Sequence, residues 1–381
     1  MYLLVLDVLL SALIVPRTWR AWRSLRRWPR VPLVEAAAPA PLVSVVVPAR
    51  NEVRGIQRCL RSLLAQRYPS LRLIVLDDES QDGTGAILEE LARGDSRLRV
   101  VAGGPPPDGW VGKCWALHQA VQFADPATDY FLFTDADTAH QPLAVASAVA
   151  YAQHQRLDLL SLGTGQRLVG RAERLLLPLI LGLAMLENGS LDEVNDPART
   201  EIAKANGQFI LVSAAAYARI GGHAAVRAAL VEDFELARRA KRLGLRVRLA
   251  DGRHLVETRG YTSVREIWNA FSRNAPVEAQ RQPGGSVPVL LGWPLLSLGP
   301  YVLMSIALRR RSWLLLGQSA LQVAHLVGIT TRFATALGLP FQYGLAQPVA
   351  ATFLWLLLVA ADVRRALGRP VVWKERPVLR R

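Results

Sequence analysis

The stretch Val43-Ser-Val-Val-Val-Pro-Ala-Arg-Asn-Glu52 joins a short apolar run, rich in β-branched residues, to a polar turn. Segments with helical spacing separate it from further short apolar runs, as expected where strands and helices alternate. The further runs are Leu73-Ile-Val-Leu76, Leu98-Arg-Val-Val101, Tyr130-Phe-Leu-Phe133 and Leu157-Asp-Leu-Leu160. Such alternation indicates a mostly parallel sheet flanked by helices. We therefore predict a soluble α/β domain over residues 42–280.

Polar clusters directly follow three of the predicted strands. Pro48-Ala-Arg-Asn-Glu52 follows the first, Asp77-Asp-Glu-Ser80 the second, and Thr134-Asp-Ala-Asp-Thr138 the fourth. In open parallel sheets, ligands bind beyond the carboxyl ends of the strands. The three carboxylate-rich clusters are therefore expected to meet at one edge of the sheet.

The composition fits a folded protein with a large core, because 51% of the 381 residues are hydrophobic. Lys and Arg outnumber Asp and Glu by 46 to 31, which gives a net charge of +15. The basic residues lie beside apolar segments, so we expect anionic membrane lipids as partners and no nucleic acid.

The two cysteines, Cys59 and Cys114, both fall in predicted helices. A disulfide framework is not expected, and the main domain is predicted to face the cytosol.

Residues 1–30 are predicted to form a membrane anchor followed by a basic juxtamembrane segment. Residues 1–16 are nearly all apolar, and six arginines with three tryptophans follow over residues 17–30. A signal peptide carries its charges before the apolar run, so this order favours an anchor. A span needs about 20 apolar residues, and snorkelling arginines and interfacial tryptophans could supply the difference. An amphipathic helix lying in the membrane interface is the alternative.

Residues 287–361 are predicted to form a C-terminal membrane region, followed by a basic cytosolic tail over residues 364–381. Basic clusters occur at residues 17–30, 309–311 and 364–381, and such clusters tend to face the cytosol. Three simple spans in the C-terminal region would place some of these clusters on opposite sides of the membrane. A hairpin over residues 287–308, broken at Pro294 and Gly299-Pro300 and followed by two spans, keeps them together. A kinked ordinary span is the alternative. We expect a multi-pass protein of the plasma membrane with a cytosolic catalytic domain.

The carboxylates of Asp135 and Asp137 lie one residue apart at the end of a predicted strand. Two negative charges so close repel each other unless a cation lies between them. Hard divalent cations such as Mg²⁺ or Mn²⁺ bind carboxylate oxygens and complete their coordination with phosphate oxygens. The pattern indicates a divalent cation site for a phosphorylated ligand. An ordinary acidic pair on the surface is the alternative.

Asp77 and Asp78 lead into Ser-Gln-Asp-Gly-Thr84, a sequence typical of a turn before a helix. Carboxylates at this place could accept hydrogen bonds from a nucleobase or ribose, and a plain turn with a helix cap is the alternative.

Lys113 lies near the start of the predicted helix that follows the third strand. An ammonium beside free backbone amides suits a diphosphate.

Glu232 and Asp233 open a predicted helix over residues 230–244. The helix dipole favours an ionised carboxylate at the amino end, as a general base requires. An ordinary acidic first turn is the alternative. His223 follows a predicted strand and a Gly-Gly turn, and we interpret it as structural.

Six motifs, in this order and at these separations, resemble the inverting family 2 glycosyltransferases, which have the GT-A nucleotide-sugar-binding fold. The motifs are VVVPARNE, DDESQDGT, GKCWAL, TDADT, NGQFILV and VEDFELARRAKRLG, within residues 42–280. The chain looks most similar to the membrane-associated hopanoid-associated and carotenoid-acid glycosyltransferases. The resemblance implies transfer of one sugar from a nucleotide-sugar, expected to be a UDP-hexose, to a lipid or isoprenoid acceptor at the cytosolic membrane face.

The resemblance also implies which residues form the nucleotide pocket. Pro48, Ala49 and Glu52 match the start of that pocket at the first strand. Asp77 and Asp78 match the residues that contact uracil and ribose.

The remaining implied roles concern the metal and the chemistry. Asp137 matches the direct ligand of a divalent cation, Mg²⁺ or Mn²⁺, and Asp135 shares in binding the metal and the nucleotide. Asp233, preceded by Glu232, matches the catalytic base, and Lys113 is expected to stabilise the departing diphosphate.

One stretch departs from the processive members of the family, which carry Gln-x-x-Arg-Trp on an interfacial helix. This chain has Glu266-Ile-Trp-Asn-Ala-Phe-Ser-Arg-Asn274 instead, so we expect transfer of one sugar rather than polymer synthesis. Arg273, in a predicted amphipathic helix over residues 262–280, could reach the diphosphate. The apolar residues 175–186 are too few to span a membrane. They would form either an acceptor groove open to lipid or a buried core helix.

Two alternative functions are a nucleotidyltransferase and a catalytically silent family 2 homologue acting as a binding subunit. PARNEVRG is a poor match for the Gly-rich basic loop of a nucleotidyltransferase, and the acidic motifs that a silent homologue is expected to lose are all present. Both observations favour an active glycosyltransferase.

Overall fold

The computed structural model describes residues 8–9, 11–13, 15–16, 19, 28–186, 191–280, 287–367, 371–373 and 376–378. Internal contacts divide the chain into two units. The sheet unit comprises residues 28–167, 191–260 and 371–381, and the helical unit comprises residues 1–27, 168–190 and 261–370.

The sheet unit is built on a mixed but mostly parallel sheet. Its strands are β1 Val43–Ala49, β2 Leu71–Asp77, β3 Leu98–Ala102, β4 Tyr130–Phe133, β5 Thr138–His140, β6 Leu159–Gly163, β7 Gly165–Gln166, β8 Ile210–Ser213, β9 Val247–Asp251 and β10 Val256–Thr258. Within the described residues, the main sheet has the order β3-β2-β1-β4-β8-β6-β9, and β5, β10 and β7 form a second sheet. In the main sheet β8 runs antiparallel to β4 and β6, while the other neighbours are parallel. The predicted mostly parallel sheet is therefore confirmed.

The helices are α1 Ile56–Leu64, α2 Thr84–Gly94, α3 Gly112–Val121, α4 Ala144–His154, α5 Arg171–Leu186, α6 Leu191–Asn195, α7 Ala214–Ile220, α8 Glu232–Arg242, α9 Val264–Gln280, α10 Val287–Ser297, α11 Gly299–Arg310, α12 Trp313–Ala336 and α13 Gln347–Ala366. A short antiparallel pair, β11 Val371–Trp373 and β12 Arg376–Val378, follows them. Cys59 lies in α1 and Cys114 in α3, both as free buried thiols, as predicted.

Both faces of the main sheet are covered by apolar side chains. Leu60 of α1 and Leu73 of β2 belong to one buried cluster, whereas Leu117 of α3 and Phe133 of β4 belong to another. Because the central strands are buried on both faces, they read in the sequence as continuous apolar runs. The polar clusters follow these strands and lie in the loops at the carboxyl ends of β1, β2 and β4.

Helix α5 contains the apolar stretch for which the sequence allowed either a lipid-facing groove or a core helix. Leu176, Leu177 and Ile180 are buried, and they pack in one cluster with Ile267 of α9 and Ala350 of α13. The described part of α5 is thus a core helix of the helical unit, and its buried face offers no open groove.

Within its described residues, the helical unit contains two stretches that are long and apolar enough to cross a membrane, Trp313–Ala336 and Phe341–Ala366. Helices α10 and α11 pass the same test only as a pair, and they bend by 48° at a break between them. The break falls next to Gly299-Pro300, whereas Pro294 lies inside α10. The carbonyl oxygen of Ser297 at the end of α10 accepts a hydrogen bond from Nε2 of Gln347 at 3.3 Å. Hairpin and kinked span both remain compatible with this geometry.

Most of the predicted N-terminal anchor lies outside the described residues. Its described residues between 8 and 19 are helical, whereas residues 28–30 are not. Oγ of Ser11 accepts hydrogen bonds from Nε2 of Gln318 at 3.0 Å and from Nε2 of Gln322 at 2.7 Å.

Candidate functional site

A pocket lies in the sheet unit at the carboxyl ends of β1 and β4. It is lined by Pro48, Lys113, Leu117, Phe133, Thr134, Asp135, Gly207, Ile210, His223, Glu232 and Asp233. Strand β8 is antiparallel to β4 and pairs Ile210 with Phe133, so the loop before β8 reaches the same edge. Five residues singled out in the sequence are thereby brought together: Pro48, Lys113, Asp135, Glu232 and Asp233.

The carboxylate of Asp233 is fixed at the first turn of α8. Its Oδ2 accepts a hydrogen bond from the backbone N–H of Gly207 at 2.8 Å, and its Oδ1 accepts one from the N–H of Phe234 at 2.9 Å. Burial and the neighbouring Glu232 carboxylate raise the pKa of Asp233 to about 7, against the lowering effect of Lys113 and the two amides. A carboxylate with such a pKa is well matched to general base catalysis near neutral pH.

The ammonium of Lys113 lies between two carboxylates from different parts of the chain. Nζ is 2.8 Å from Oδ1 of Asp135 and 2.7 Å from Oε1 of Glu232. Burial alone would lower the pKa of Lys113, but Asp135, Glu232 and Asp233 outweigh it and hold this pKa well above its usual value. Lys113 is the second residue of α3, as the sequence predicted, so its charge lies beside the amino end of a helix.

Asp135 and Asp137 lie in the loop between β4 and β5. The carbonyl of Asp135 accepts a hydrogen bond from Oγ1 of Thr138 at 2.7 Å, and the carbonyl of Asp137 accepts one from the N–H of Arg259 at 3.2 Å. Helix α1 supports the loop from the other side, where NH2 of Arg58 donates to the Asp137 carbonyl at 3.3 Å. Both carboxylates are half-buried at the sheet edge.

These two carboxylates have the chemistry that a hard divalent cation requires, since both offer oxygen donors on a braced loop. Among the described residues, no group of three His, Cys, Asp or Glu side chains is arranged to hold a metal ion. A cation at Asp135 and Asp137 would therefore need further oxygen ligands from a bound phosphate group or water. This agrees with the sequence-based expectation that the protein supplies only part of the coordination.

The loops after β1 and β2 are joined by hydrogen bonds into one wall beside the pocket. The N–H of Asn51 donates to Oγ of Ser80 at 3.0 Å, and the N–H of Glu52 donates to Oγ1 of Thr84 at 2.8 Å. Oδ1 of Asp77 accepts from the N–H of Ser80 at 3.0 Å. The Asp77 carboxylate thus shapes its own turn, as the turn-and-cap alternative proposed.

Ala49 and Asp78 are tied together directly. The N–H of Asp78 donates to the carbonyl of Ala49 at 2.8 Å, continuing the pairing of β1 with β2. Arg50, which the sequence analysis did not single out, is 9% exposed and donates from NH1 to the carbonyl of Asp78 at 2.5 Å. Arg50 is part of the PARNE motif, but the sequence of a turn does not show which group its arginine contacts.

Gly207 is a second residue whose part was missed, although its segment was expected to close one side of the site. A Cβ at this position would lie 3.0 Å from Nζ of Lys113 and 3.4 Å from Oδ2 of Asp233. A side chain at this position would therefore press on Lys113 and on the carboxylate that the backbone amide contacts.

His223, which also lines the pocket, and Arg273 are two further residues that the sequence analysis discussed. His223 is buried and its Nδ1 is 2.8 Å from the Tyr217 hydroxyl. Burial lowers the pKa of His223 to about 3, so it is neutral and structural, as interpreted. Arg273 falls in α9 of the helical unit, with its side chain outside the described residues.

The chain is similar in sequence and in fold to known glycosyltransferases. The family model described as Glycosyl transferase family 2 matches residues 44–193. The chain is 25% identical over 221 residues to a 4,4'-diaponeurosporenoate glycosyltransferase of Staphylococcus haemolyticus, covering 58% of this chain and 56% of that protein. It is 36% identical over 107 residues to the probable glycosyltransferase YdaM of Bacillus subtilis, covering 28% and 25% of the two chains. The match thus spans little more than half of the first relative and a quarter of the second.

A solved structure with a similar fold is the mannosyltransferase PcManGT from Pyrobaculum calidifontis, determined in complex with GDP-Man and Mn²⁺. The TM-score is 0.57 at 20% sequence identity, with 96% of this chain and 99% of that chain covered. At this identity the likeness concerns the fold alone. It confirms the predicted GT-A-like α/β architecture.

Proposed function

We propose that the chain is a family 2 glycosyltransferase, as the match over residues 44–193 supports, and that it transfers a single sugar from a nucleotide-sugar, preferably a UDP-hexose, to a lipid or isoprenoid acceptor. The transfer would take place at the cytosolic face of the plasma membrane and invert the anomeric centre. The observation that carries the proposal is the joining of Asp233, Lys113 and Asp135 in one pocket at the carboxyl edge of the sheet.

In this proposal Asp233 is the general base. Its raised pKa reflects a buried carboxylate that gains a proton readily, and the Gly207 and Phe234 amides fix its orientation. Asp233 takes the proton of the acceptor hydroxyl while the oxygen attacks the anomeric carbon from the side opposite the diphosphate. The bond from that carbon to the diphosphate oxygen breaks, and one displacement inverts the centre. An acceptor that arrives as a carboxylate needs no proton removed.

Lys113 provides positive charge for the diphosphate that departs. The amino end of α3 adds the partial charge of its free amides. Asp137, with Asp135, would hold a Mg²⁺ or Mn²⁺ ion. When bound, such a cation supplies further charge neutralisation to the leaving diphosphate.

The wall formed by the loops after β1 and β2 is proposed to hold the nucleoside. Pro48, Ala49 and Glu52 would lie along the nucleotide, and Asp77 and Asp78 would accept hydrogen bonds from the base and ribose. Arg273 of α9 is proposed as an additional contact for the diphosphate.

A membrane location is proposed from the two apolar stretches of α12 and α13. The basic clusters at 17–30, 309–311 and 364–381 would face anionic lipids on the cytosolic side. We propose residues 1–30 as anchor, 42–280 as the glycosyltransferase domain, 287–361 as the membrane region and 364–381 as the tail. An apolar acceptor would be found in such a membrane. The carotenoid-acid substrate in the name of the S. haemolyticus relative supports an acceptor of this kind.

The test is release of nucleoside diphosphate by the purified full chain, given UDP- and GDP-sugars in turn, Mg²⁺ or Mn²⁺, and membrane lipid extract. We expect release that depends on one donor, on the cation and on the extract. Absence of turnover with every donor would contradict the proposed function. Release of pyrophosphate from nucleoside triphosphates would favour a nucleotidyltransferase instead.

A further inference from the structure

The pocket contains an imbalance of charge. Asp135, Glu232 and Asp233 contribute three carboxylates, and among the described lining residues Lys113 is the cation that faces them. Its Nζ lies 2.8 Å from Oδ1 of Asp135 and 2.7 Å from Oε1 of Glu232. The ammonium therefore bridges the acidic loop after β4 and the first turn of α8.

A divalent cation that binds Asp135 must compete with this ammonium. Oδ1 of Asp135 already accepts a charge-assisted contact from Lys113, and a second positive charge a few ångströms away repels the first. For the cation to take the carboxylate, Lys113 has to move off Asp135. Its displacement costs little only where another carboxylate keeps it paired.

Glu232 is placed to be that second partner. Its side chain is 10% exposed, whereas that of Asp135 is 30% exposed, so the open side of the bridge is the Asp135 side. Gly207 packs against the same atoms, since a Cβ there would lie 3.0 Å from Nζ of Lys113 and 3.6 Å from Oε1 of Glu232. The Glu232 end of the bridge is thus enclosed, and the Asp135 end is accessible to a ligand.

We propose that Lys113 is a displaceable counter-ion. It pairs with Asp135 before the cation binds, is displaced from Asp135 by the cation, and is retained by Glu232 in position to meet the incoming diphosphate. Glu232 is then a positioning residue that acts through Lys113, rather than a group that touches substrate. This inference rests on the proposed function, because it takes the cation and the diphosphate from it.

The test measures binding of Mn²⁺ alone, without any donor, to the purified full chain by electron paramagnetic resonance of the free ion. Lys113→Met should bind Mn²⁺ about tenfold more tightly than the unaltered chain, because the competing ammonium is gone. Glu232→Gln should bind it several-fold more weakly, because Lys113 is left with Asp135 as its anchor. The double variant should bind Mn²⁺ as Lys113→Met does.

Three controls make the outcomes decisive. Arg93→Met removes the same charge from an exposed position of α2 and should leave Mn²⁺ affinity unchanged. Asp137→Asn should abolish the binding, which locates the ion at the acidic loop. Lys113→Gln replaces Lys113→Met if the latter does not fold.

Equal or weaker Mn²⁺ binding by Lys113→Met would overturn the proposal, as would Mn²⁺ binding that survives Asp137→Asn. An undiminished effect of Glu232→Gln in the Lys113→Met background would show that Glu232 acts on the ion by its own charge and would overturn its positioning role. Since no donor is present, these outcomes are independent of turnover. A chain that bound Mn²⁺ as described and transferred no sugar would contradict the proposed function and leave the counter-ion intact.

Discussion

The backbone amide of Gly207 donates a hydrogen bond to Oδ2 of Asp233, with an N···O distance of 2.8 Å. Gly207 lies in the loop before β8, whereas Asp233 lies at the start of α8. The contact joins two segments of the chain at the one carboxylate that carries the proposed base chemistry. A Cβ at residue 207 would be in tight contact with Lys113 and Asp233, which makes the glycine testable.

Gly207→Ala should impair catalysis without unfolding the sheet unit. The added Cβ would lie 3.0 Å from Nζ of Lys113 and 3.4 Å from Oδ2 of Asp233, so the lysine or the loop must shift. We expect kcat to fall by about tenfold, less than the roughly hundredfold loss that a displacement of about 1 Å can cause. The matched control is Gly94→Ala in the last position of α2, where a Cβ meets nothing within 4 Å. Equal kcat in the two variants would show that the close approach at residue 207 is unimportant.

Asp233→Asn should lower kcat by about 10²–10⁴-fold, since the general base is removed. The affinity for nucleoside diphosphate should change little, because the diphosphate is assigned to Lys113 and the acidic loop. Steady-state kinetics and calorimetric titration with the nucleoside diphosphate measure the two effects separately. Full activity of this variant with an acceptor that reacts through a hydroxyl would refute the assignment of the base.

Glu232→Gln should shift the pH dependence of kcat/KM. The base form of Asp233 is deprotonated, so activity should rise with pH through the pKa of this carboxyl, which burial and Glu232 raise to about 7. Removing the Glu232 charge removes a repulsion that favours the protonated form. The acidic limb of the profile should therefore move to lower pH. An acidic limb that stays in place, or moves up, would be inconsistent with this electrostatic coupling.

Arg50→Ala should raise the KM for the nucleotide-sugar by about tenfold or more, with a smaller effect on kcat. The guanidinium is buried and donates to the carbonyl of Asp78 at 2.5 Å, so its removal should loosen the loop that carries Asp78. Arg50→Lys keeps the charge but loses the planar fork, so it should recover only part of the affinity. An unchanged KM in Arg50→Ala would mean that this wall of the pocket does not contact the donor.

Much of the secondary structure of the sheet unit could be predicted from short stretches of the sequence. The apolar runs at residues 43–47 and 73–76 fall within β1 and β2, and Lys113 lies in the first turn of α3 as its sequence indicated. These features depend on residue type and spacing over a few positions. The rule that ligands bind beyond the carboxyl ends of parallel strands predicted Asp135 at this edge of the sheet, and Asp135 does line the pocket there.

The pairing of Lys113 with Glu232 could not be predicted in the same way. The two residues belong to α3 and α8, which are far apart in the chain, and they meet only in the folded structure, where Nζ of Lys113 lies 2.7 Å from Oε1 of Glu232. Strand order is a property of the whole fold, and no local spacing specifies it. Arg50 was missed for a related reason, since its partner Asp78 is on the neighbouring strand end.

The apolar stretch of α5 shows a different limit. Leu177 is 1% exposed because α9 and α13 cover it. Hydrophobicity alone predicts that such a side chain avoids water, but it does not distinguish a protein core from a lipid-facing groove.

Inverting transfer is tested most directly by the anomeric configuration of the product. The donor identified by nucleoside diphosphate release is supplied as its α-anomer, and the glycosylated lipid is analysed by nuclear magnetic resonance. A β-linked product formed by the unaltered chain and absent with Asp233→Asn is the predicted result. An α-linked product would contradict a single displacement assisted by Asp233.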